Sequence, residues 1–236
     1  MGLSIHYELS LPGSTPREAV ERIVERLRRI CATLPLDVVA DAIASEQGAC
    51  EWGAISVPRG RGRVRTMEMI EPEQAVYFAA RPGAGCEPVF LGVARHRPNG
   101  LTRGRWFGQW ACKTQYAASP QHGGIDHFVR CHLAVIAMLD EVKRLKIGVK
   151  VRDEGRYWTT RRVPRLLKAL DLYDRVIARI VGRVKDAFAD RDAVVAPITQ
   201  RPDFEHLEAG TTRRTAKPSW TSGVRALVRR TGGTLQ

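Results

Sequence analysis

The sequence has no hydrophobic run long enough to cross a membrane: its longest wholly apolar stretch, Leu133 to Leu139, is seven residues, against the roughly 18 or more of a spanning helix. Its opening Met-Gly-Leu-Ser-Ile-His has no basic segment leading into an apolar one, so a cytoplasmic chain without membrane association is expected. Cysteine is scarce and poorly spaced for metal or disulfide chemistry. Cys31, Cys50, Cys86, Cys112 and Cys131 are odd in number and form no C-x-x-C pair, which argues against a disulfide framework or a zinc site. Cys31 and Cys131, on apolar sides of predicted helices, read as small core hydrophobes. The P-loop, the dinucleotide glycine fingerprint and the G-x-S-x-G elbow are all missing, so no cofactor is implied. His127 and His132 are five residues apart, about 140° around a helix, and do not converge on one ion as an i, i+4 pair would. His132 reads as a hydrogen-bonded core histidine, and no metal is expected.

Positive charge is abundant. The formal net charge of +13 divides into −3 for residues 1–58, +6 for 59–113, +4 for 114–208 and +6 for 209–236. An excess of this kind raises the local concentration of polyanions and speeds their association. Arg greatly outnumbers Lys, which coding bias also produces, so the placement of the charge matters more than its total.

Ile5, Tyr7 and Leu9 alternate with His6, Glu8 and Ser10, the period of a half-buried strand. Thr15, Pro16 and Glu18 predict a helix start with Thr15 as N-cap. Val20, Ile23, Val24, Leu27, Cys31 and Leu34 give that helix one apolar stripe. Residues 54–57, 64–69, 75–80, 89–95 and 106–116 read as strands of an antiparallel meander, joined through Arg59-Gly60-Arg61-Gly62, Arg81-Pro82-Gly83 and Pro98-Asn99-Gly100. From Ile125 to about Lys146 a helix is apolar nearly all round and should be buried. A strand at 149–151 completes a strand, helix, strand crossover over residues 106–151. A third helix is predicted from Thr160 to about Ala189, with Val163, Leu166, Leu170, Ile177, Val181, Val184 and Phe188 on one face. The segment 192–209 is expected to pack back on the body. The expected architecture is α+β: an antiparallel-rich mixed sheet packed against a buried central helix, with two further amphipathic helices. It forms a single domain over 1–209, followed by a basic, flexible C-terminal tail over 210–236.

Three clusters carry the charge. Arg161, Arg165, Lys168, Arg175, Arg179 and Arg183 fall within a narrow stripe of the third helix, opposite its apolar face, where they could lie along phosphates. Arg59, Arg61, Arg63 and Arg65 surround one glycine-rich turn; Arg95, Arg97, Arg103 and Arg105 surround the Pro98-Asn99-Gly100 turn. Trp106, Phe107 and Trp110 follow, a mixture suited to stacking single-stranded bases. Trp106 and Trp110 share one face of a strand, however, which is also the signature of a core.

Asp153-Glu154-Gly155 follows the last predicted strand, where two carboxylates could hold a divalent metal with Lys113 or His127 nearby. The same residues also suit a turn, with Asp153 capping the next helix. The order helix, strands, helix, strand resembles the topology of restriction-endonuclease-like nucleases, whose core strand bears an acid two residues before a lysine. Here Ala111 stands two residues before Lys113, and no catalytic residue carries over. The leading expectation is a non-catalytic protein associating with nucleic acid or another polyanion. The alternatives are a metal-dependent hydrolase or nuclease using Asp153 and Glu154, or a protein–protein interaction module.

Overall fold

Alternation along the first strand sets the orientation of the whole sheet. In the computed structural model, which describes residues 3–46, 52–59, 66–187, 198, 204–209 and 220–236, β1 (Ser4–Leu11) buries Ile5, Tyr7, Leu9 and Leu11 and turns His6, Glu8 and Ser10 to the other face. β1 pairs antiparallel with β8 (Trp106–Lys113) on one side and β9 (Gly148–Asp153) on the other. β8 and β9 therefore run parallel with β1 inserted between them, and the helix α2 (Gly124–Arg144) is their crossover. The sheet continues through β7 (Val89–Arg95) and β6 (Gln74–Arg81), whose far side carries both β2 (Val38–Val39) and β3 (Ile43–Glu46). The result is seven strands in the order β2-β6-β7-β8-β1-β9, with β3 also on β6. β4 (Ile55–Arg59) and β5 (Thr66–Ile70) form a separate two-stranded ribbon.

The helix α1 (Arg17–Cys31) contributes Val20, Val24, Leu27 and Cys31 to the main core, and α2 contributes residues from nearly its whole circumference. Val135, Ile136 and Leu139 are each fully buried, a gain of about 1.5–3 kcal/mol per side chain. The α+β architecture with a buried central helix is thus the observed one. Beyond β9 the described residues form α3 (Tyr157–Thr160), α4 (Val163–Ala187), α5 (Phe204–Glu208) and α6 (Ser222–Arg230).

Several boundaries differ from those predicted. Thr15 does not cap α1: Pro16 holds the N-cap position and no side chain caps it, while the Thr15 carbonyl accepts the Trp106 indole N–H at 3.0 Å. β8 ends at Lys113, three residues early, because Gln115–Ala118 curls into a 3-10 turn. The third predicted helix is broken at Arg161, which adopts φ 54°. Thr234 occupies the break, donating to the Arg161 carbonyl at 2.7 Å and accepting from the Val163 amide at 2.9 Å.

The tail expectation fails over 220–236. The α6 helix buries Val224, Leu227 and Val228 in the main core, and Trp220 packs against it. Thr221 donates to Asp126 at 2.9 Å, Arg230 reaches Glu141 at 3.0 Å and the Tyr157 hydroxyl meets that of Thr231 at 2.7 Å. The composition suggested disorder, but the 224, 227, 228 spacing is an amphipathic turn that α2, apolar all round, can bury. Residues 210–219, Phe188 and the run 193–196 lie outside the described residues.

Candidate functional site

The turn between β7 and β8 is built by one side chain. Asn99 Oδ1 accepts from the Leu101 and Thr102 amides at 3.0 and 2.9 Å, and its Nδ2 donates to the Arg97 carbonyl at 2.9 Å. An asparagine closing its own backbone this way fixes the loop, so the arginines around it stand on an ordered turn and not on a mobile one. Arg103 takes a left-handed φ of 52°, and Arg95, Arg97, Arg103 and Arg105 are all exposed. Arg95 donates to the Gly13 carbonyl at 3.0 Å with its guanidinium 5.9 Å over Trp106, and Arg97 lies 3.5 Å from Glu73. Among the described residues no carboxylate is paired with Arg103 or Arg105.

The second arginine-rich segment lies in the sequence between β4 and β5. Arg59 pairs in register with Thr66 at the ribbon's distal end, and Arg61, Arg63 and Arg65 fall outside the described residues. The ribbon's root is anchored. Trp52 is buried against Tyr77, ring centroids 5.0 Å apart, and Ile55 is almost wholly buried. Gly53 has φ 104°, and a Cβ there would lie 2.8 Å from that of Ala94, so glycine is required. His96 Nε2 is 2.7 Å from the Gly53 carbonyl. Burial lowers the His96 pKa against that hydrogen bond, so a neutral ring donates from Nε2. Further out, Met67 and Met69 are exposed on the ribbon.

Of the aromatic residues expected to stack on bases, Trp106 and Phe107 are buried and unavailable; Trp110 is exposed at its edge, with its indole donating to the Pro88 carbonyl at 3.1 Å. Trp110 borders a shallow groove over β8, β1 and β9 that also presents His6, Glu8, Gln109, Lys150 and Arg152. Lys150 is paired with Glu8 at 3.0 Å there.

The helical stripe is reduced from six cations to four. Arg165, Lys168, Arg179 and Arg183 are exposed on α4. Arg161 lies before the helix and grips Asp140 with two bonds of 2.8 Å, its guanidinium 4.7 Å over Trp158. Arg175 pairs with Asp171. The same outer surface carries exposed Leu172, Val176 and Ile180, which the sequence reading did not single out.

Asp153, Glu154 and Lys113 do not converge. Asp153 faces inward: Oδ1 accepts from the Gly155 amide at 2.7 Å and lies 3.2 Å from His132 Nε2, and Oδ2 accepts from the Trp158 amide at 2.8 Å. Burial raises its pKa, but the His132 charge and hydrogen bond and the two amides outweigh that, holding the carboxyl below its ordinary range. Glu154 accepts the Ser4 amide at 2.9 Å and lies 3.6 Å from His6. Lys113 is 3.0 Å from Glu87, and His127 is on the far side of α2 from this turn, beside Ala84. Among the described residues no group of three or more His, Cys, Asp or Glu side chains is arranged to hold a metal ion, and no helix is long and apolar enough to cross a membrane.

Comparisons with protein-family models, curated proteins and solved structures find no match.

Proposed function

We propose that this is a non-catalytic protein that binds nucleic acid or another polyanion through the Asn99 turn and the β4–β5 ribbon acting together. One observation carries the reading. The hydrogen bond from His96 to Gly53 roots the ribbon, whose tip sequence holds Arg59, Arg61, Arg63 and Arg65, directly between Arg95 and Arg97. The ribbon's root thereby shares one end of the sheet with the Asn99 turn, where Arg103 and Arg105 extend the field of Arg95 and Arg97. Guanidinium groups held on ordered backbone suit phosphate oxygens, and binding of this kind is weakly dependent on sequence and steeply dependent on salt.

The test is an anisotropy titration of labelled single- and double-stranded DNA and RNA at about 50 and about 200 mM salt. Micromolar binding at low salt that collapses at the higher concentration is expected. Failure of every oligonucleotide to bind at low salt would overturn the reading.

A protein partner is the second reading, favoured by Leu172, Val176 and Ile180 exposed on α4. It predicts association that survives high salt and is lost on Val176→Asp.

A further inference from the structure

The four cysteines among the described residues are free, and two of them are neighbours. Cys86, half-buried in the connection between β6 and β7, and Cys131, fully buried on α2, are brought together by one turn: the Cys86 amide donates to the Gly83 carbonyl at 3.2 Å, Gly83 lies directly against the Cys131 sulfur, and the two thiols perturb each other's ionisation. His127, Arg130 and Cys131 stand at i, i+3 and i+4 on one face of α2. The Cys131 sulfur consequently sits among donors: His127 Nε2 at 3.5 Å and an Arg130 guanidinium nitrogen at 3.8 Å. Its own S–H has the Pro82 carbonyl at 3.5 Å.

The histidine tautomer follows from its neighbours. Nδ1 lies 3.2 Å from Arg130, which only donates, and Nε2 lies 2.9 Å from the Ala84 carbonyl, which only accepts. Nε2 therefore carries the proton and directs it between that carbonyl and the sulfur. Gly83 brings the loop this close: a Cβ there would fall 2.6 Å from the Cys131 sulfur, 2.8 Å from Arg130 and 2.9 Å from His127.

The other two thiols have the opposite surroundings. Burial, with Glu141 nearby, pushes Cys31 up to about 12; burial and Glu87 push Cys112 up as well. Cys131 is lowered, because the Cys86 S–H and the Arg130 charge together outweigh its burial. The thiolate, not the thiol, is the nucleophile in sulfur oxidation, so this pair is singled out chemically as well as by proximity.

We propose that Cys86 and Cys131 are an oxidisable dithiol, converted by a hydroperoxide to an intramolecular disulfide that staples the β6–β7 connection to α2. The Cys131 thiolate attacks one peroxide oxygen; an S–O bond forms, the O–O bond breaks, and the departing hydroxide takes up the thiol proton as water. The Cys86 sulfur then attacks the resulting sulfenic acid. An S–S bond forms, the S–O bond breaks, and the second hydroxide leaves as water with the Cys86 proton. With hydrogen peroxide, two thiols and one oxidant give one disulfide and two waters, two electrons passing from sulfur to oxygen. The half-exposed Cys86 side is the approach from solvent.

The reduced full-length chain is treated with hydrogen peroxide, alkylated and digested with trypsin without reductant. Arg81 precedes Pro82 and resists cleavage, so the peptides 66–95 and 131–143 are expected to appear joined, about 2 Da below the sum of their reduced masses, while Cys31 and Cys112 are recovered alkylated. In Cys86→Ser, oxidation is expected to stop at a Cys131 sulfenic acid that dimedone traps. In Arg130→Gln the linkage forms about threefold more slowly for each unit by which the Cys131 pKa rises, because the thiolate fraction falls about tenfold while each thiolate becomes more nucleophilic. Thermal melts of both variants establish that they are folded. Peroxide that leaves both thiols alkylated, oxidises either without joining them, or links either to Cys50 instead overturns the proposal, as does an unchanged rate in Arg130→Gln.

Discussion

His132 Nε2 lies 3.2 Å from Asp153 Oδ1 with neither side chain reaching solvent, and His132 Nδ1 lies 3.0 Å from the Thr114 hydroxyl. A hydroxyl, an imidazole and a carboxylate in a row have the composition of a nucleophilic triad. Thr114 and His132 are fully buried, however, so no substrate can meet the hydroxyl. The row is a tie between α2, the end of β8 and the β9–α3 turn. Gly155 is required beside it, since a Cβ would fall 2.4 Å from Leu166 and 3.1 Å from His132.

Asp153→Asn removes a buried carboxylate that meets His132 and accepts from the Gly155 and Trp158 amides, and is expected to cost about 3 kcal/mol, read as a fall in the urea midpoint. The pH dependence has a definite sign. Asp153 is held below its ordinary range in the folded state, so its contribution is complete above the unfolded value of about 3.9 and is lost as pH falls from there toward the folded value. The wild type should therefore lose stability on acidification below about pH 4 more steeply than Asp153→Asn; equal slopes would contradict the assignment.

Much of the fold was legible because its strands and main helices obey their periods. β1 alternates, and α2 is apolar around its circumference. Both readings of Asp153 were visible in Asp153-Glu154-Gly155, but direction was not: β9 register decides that Asp153 points inward. The break at Arg161 had one local signal, Pro164 in the first turn of the restarted helix, which suits equally the first turn of a helix beginning at Thr160. The cause of the break is Thr234, more than seventy residues away in the sequence. The β4–β5 root was likewise invisible, because the His96 bond to Gly53 joins residues from different turns. Treating 127 and 132 as the pair to test for metal geometry hid the i, i+4 pair His127 and Cys131.

Arg161 offers a test of that break. Its two parallel bonds to Asp140 use the planar fork of a guanidinium, and Trp158 stacks beneath it. An ammonium reproduces neither the fork nor the stacking. Arg161→Lys should retain the charge yet lower stability by about 1.5 kcal/mol, measured by denaturant unfolding. A fully neutral outcome would mean that the Thr234 backbone pairing alone maintains the break.

The charged surfaces can be separated by variants that leave the core untouched. Arg103 and Arg105 carry no carboxylate partner among the described residues, whereas Arg175 is paired with Asp171. Each phosphate contact removed should lower the salt slope of binding by about one. Arg103→Ala with Arg105→Ala should therefore flatten the slope by about two, and Arg175→Ala should leave it unchanged. The reverse result would move the binding surface to α4.

The C-terminal helix makes the sharpest prediction, because composition and structure disagree there. A solvated basic tail could be removed without changing the melting temperature. α6 instead places Leu227, 2% exposed, against α2, and its Thr221 and Arg230 bind Asp126 and Glu141. Leu227→Ala should cost about 3 kcal/mol through lost burial and the cavity left behind. Deleting residues 220–236 should cost more, since it also uncovers the apolar surface of α2 and frees the Arg161 and Val163 backbone groups that Thr234 satisfies. Arg225→Ala, at an exposed position on the same helix, is the control and should leave the melting temperature within experimental error. If Leu227→Ala and the deletion both melt with the wild type, α6 is not part of the folded body.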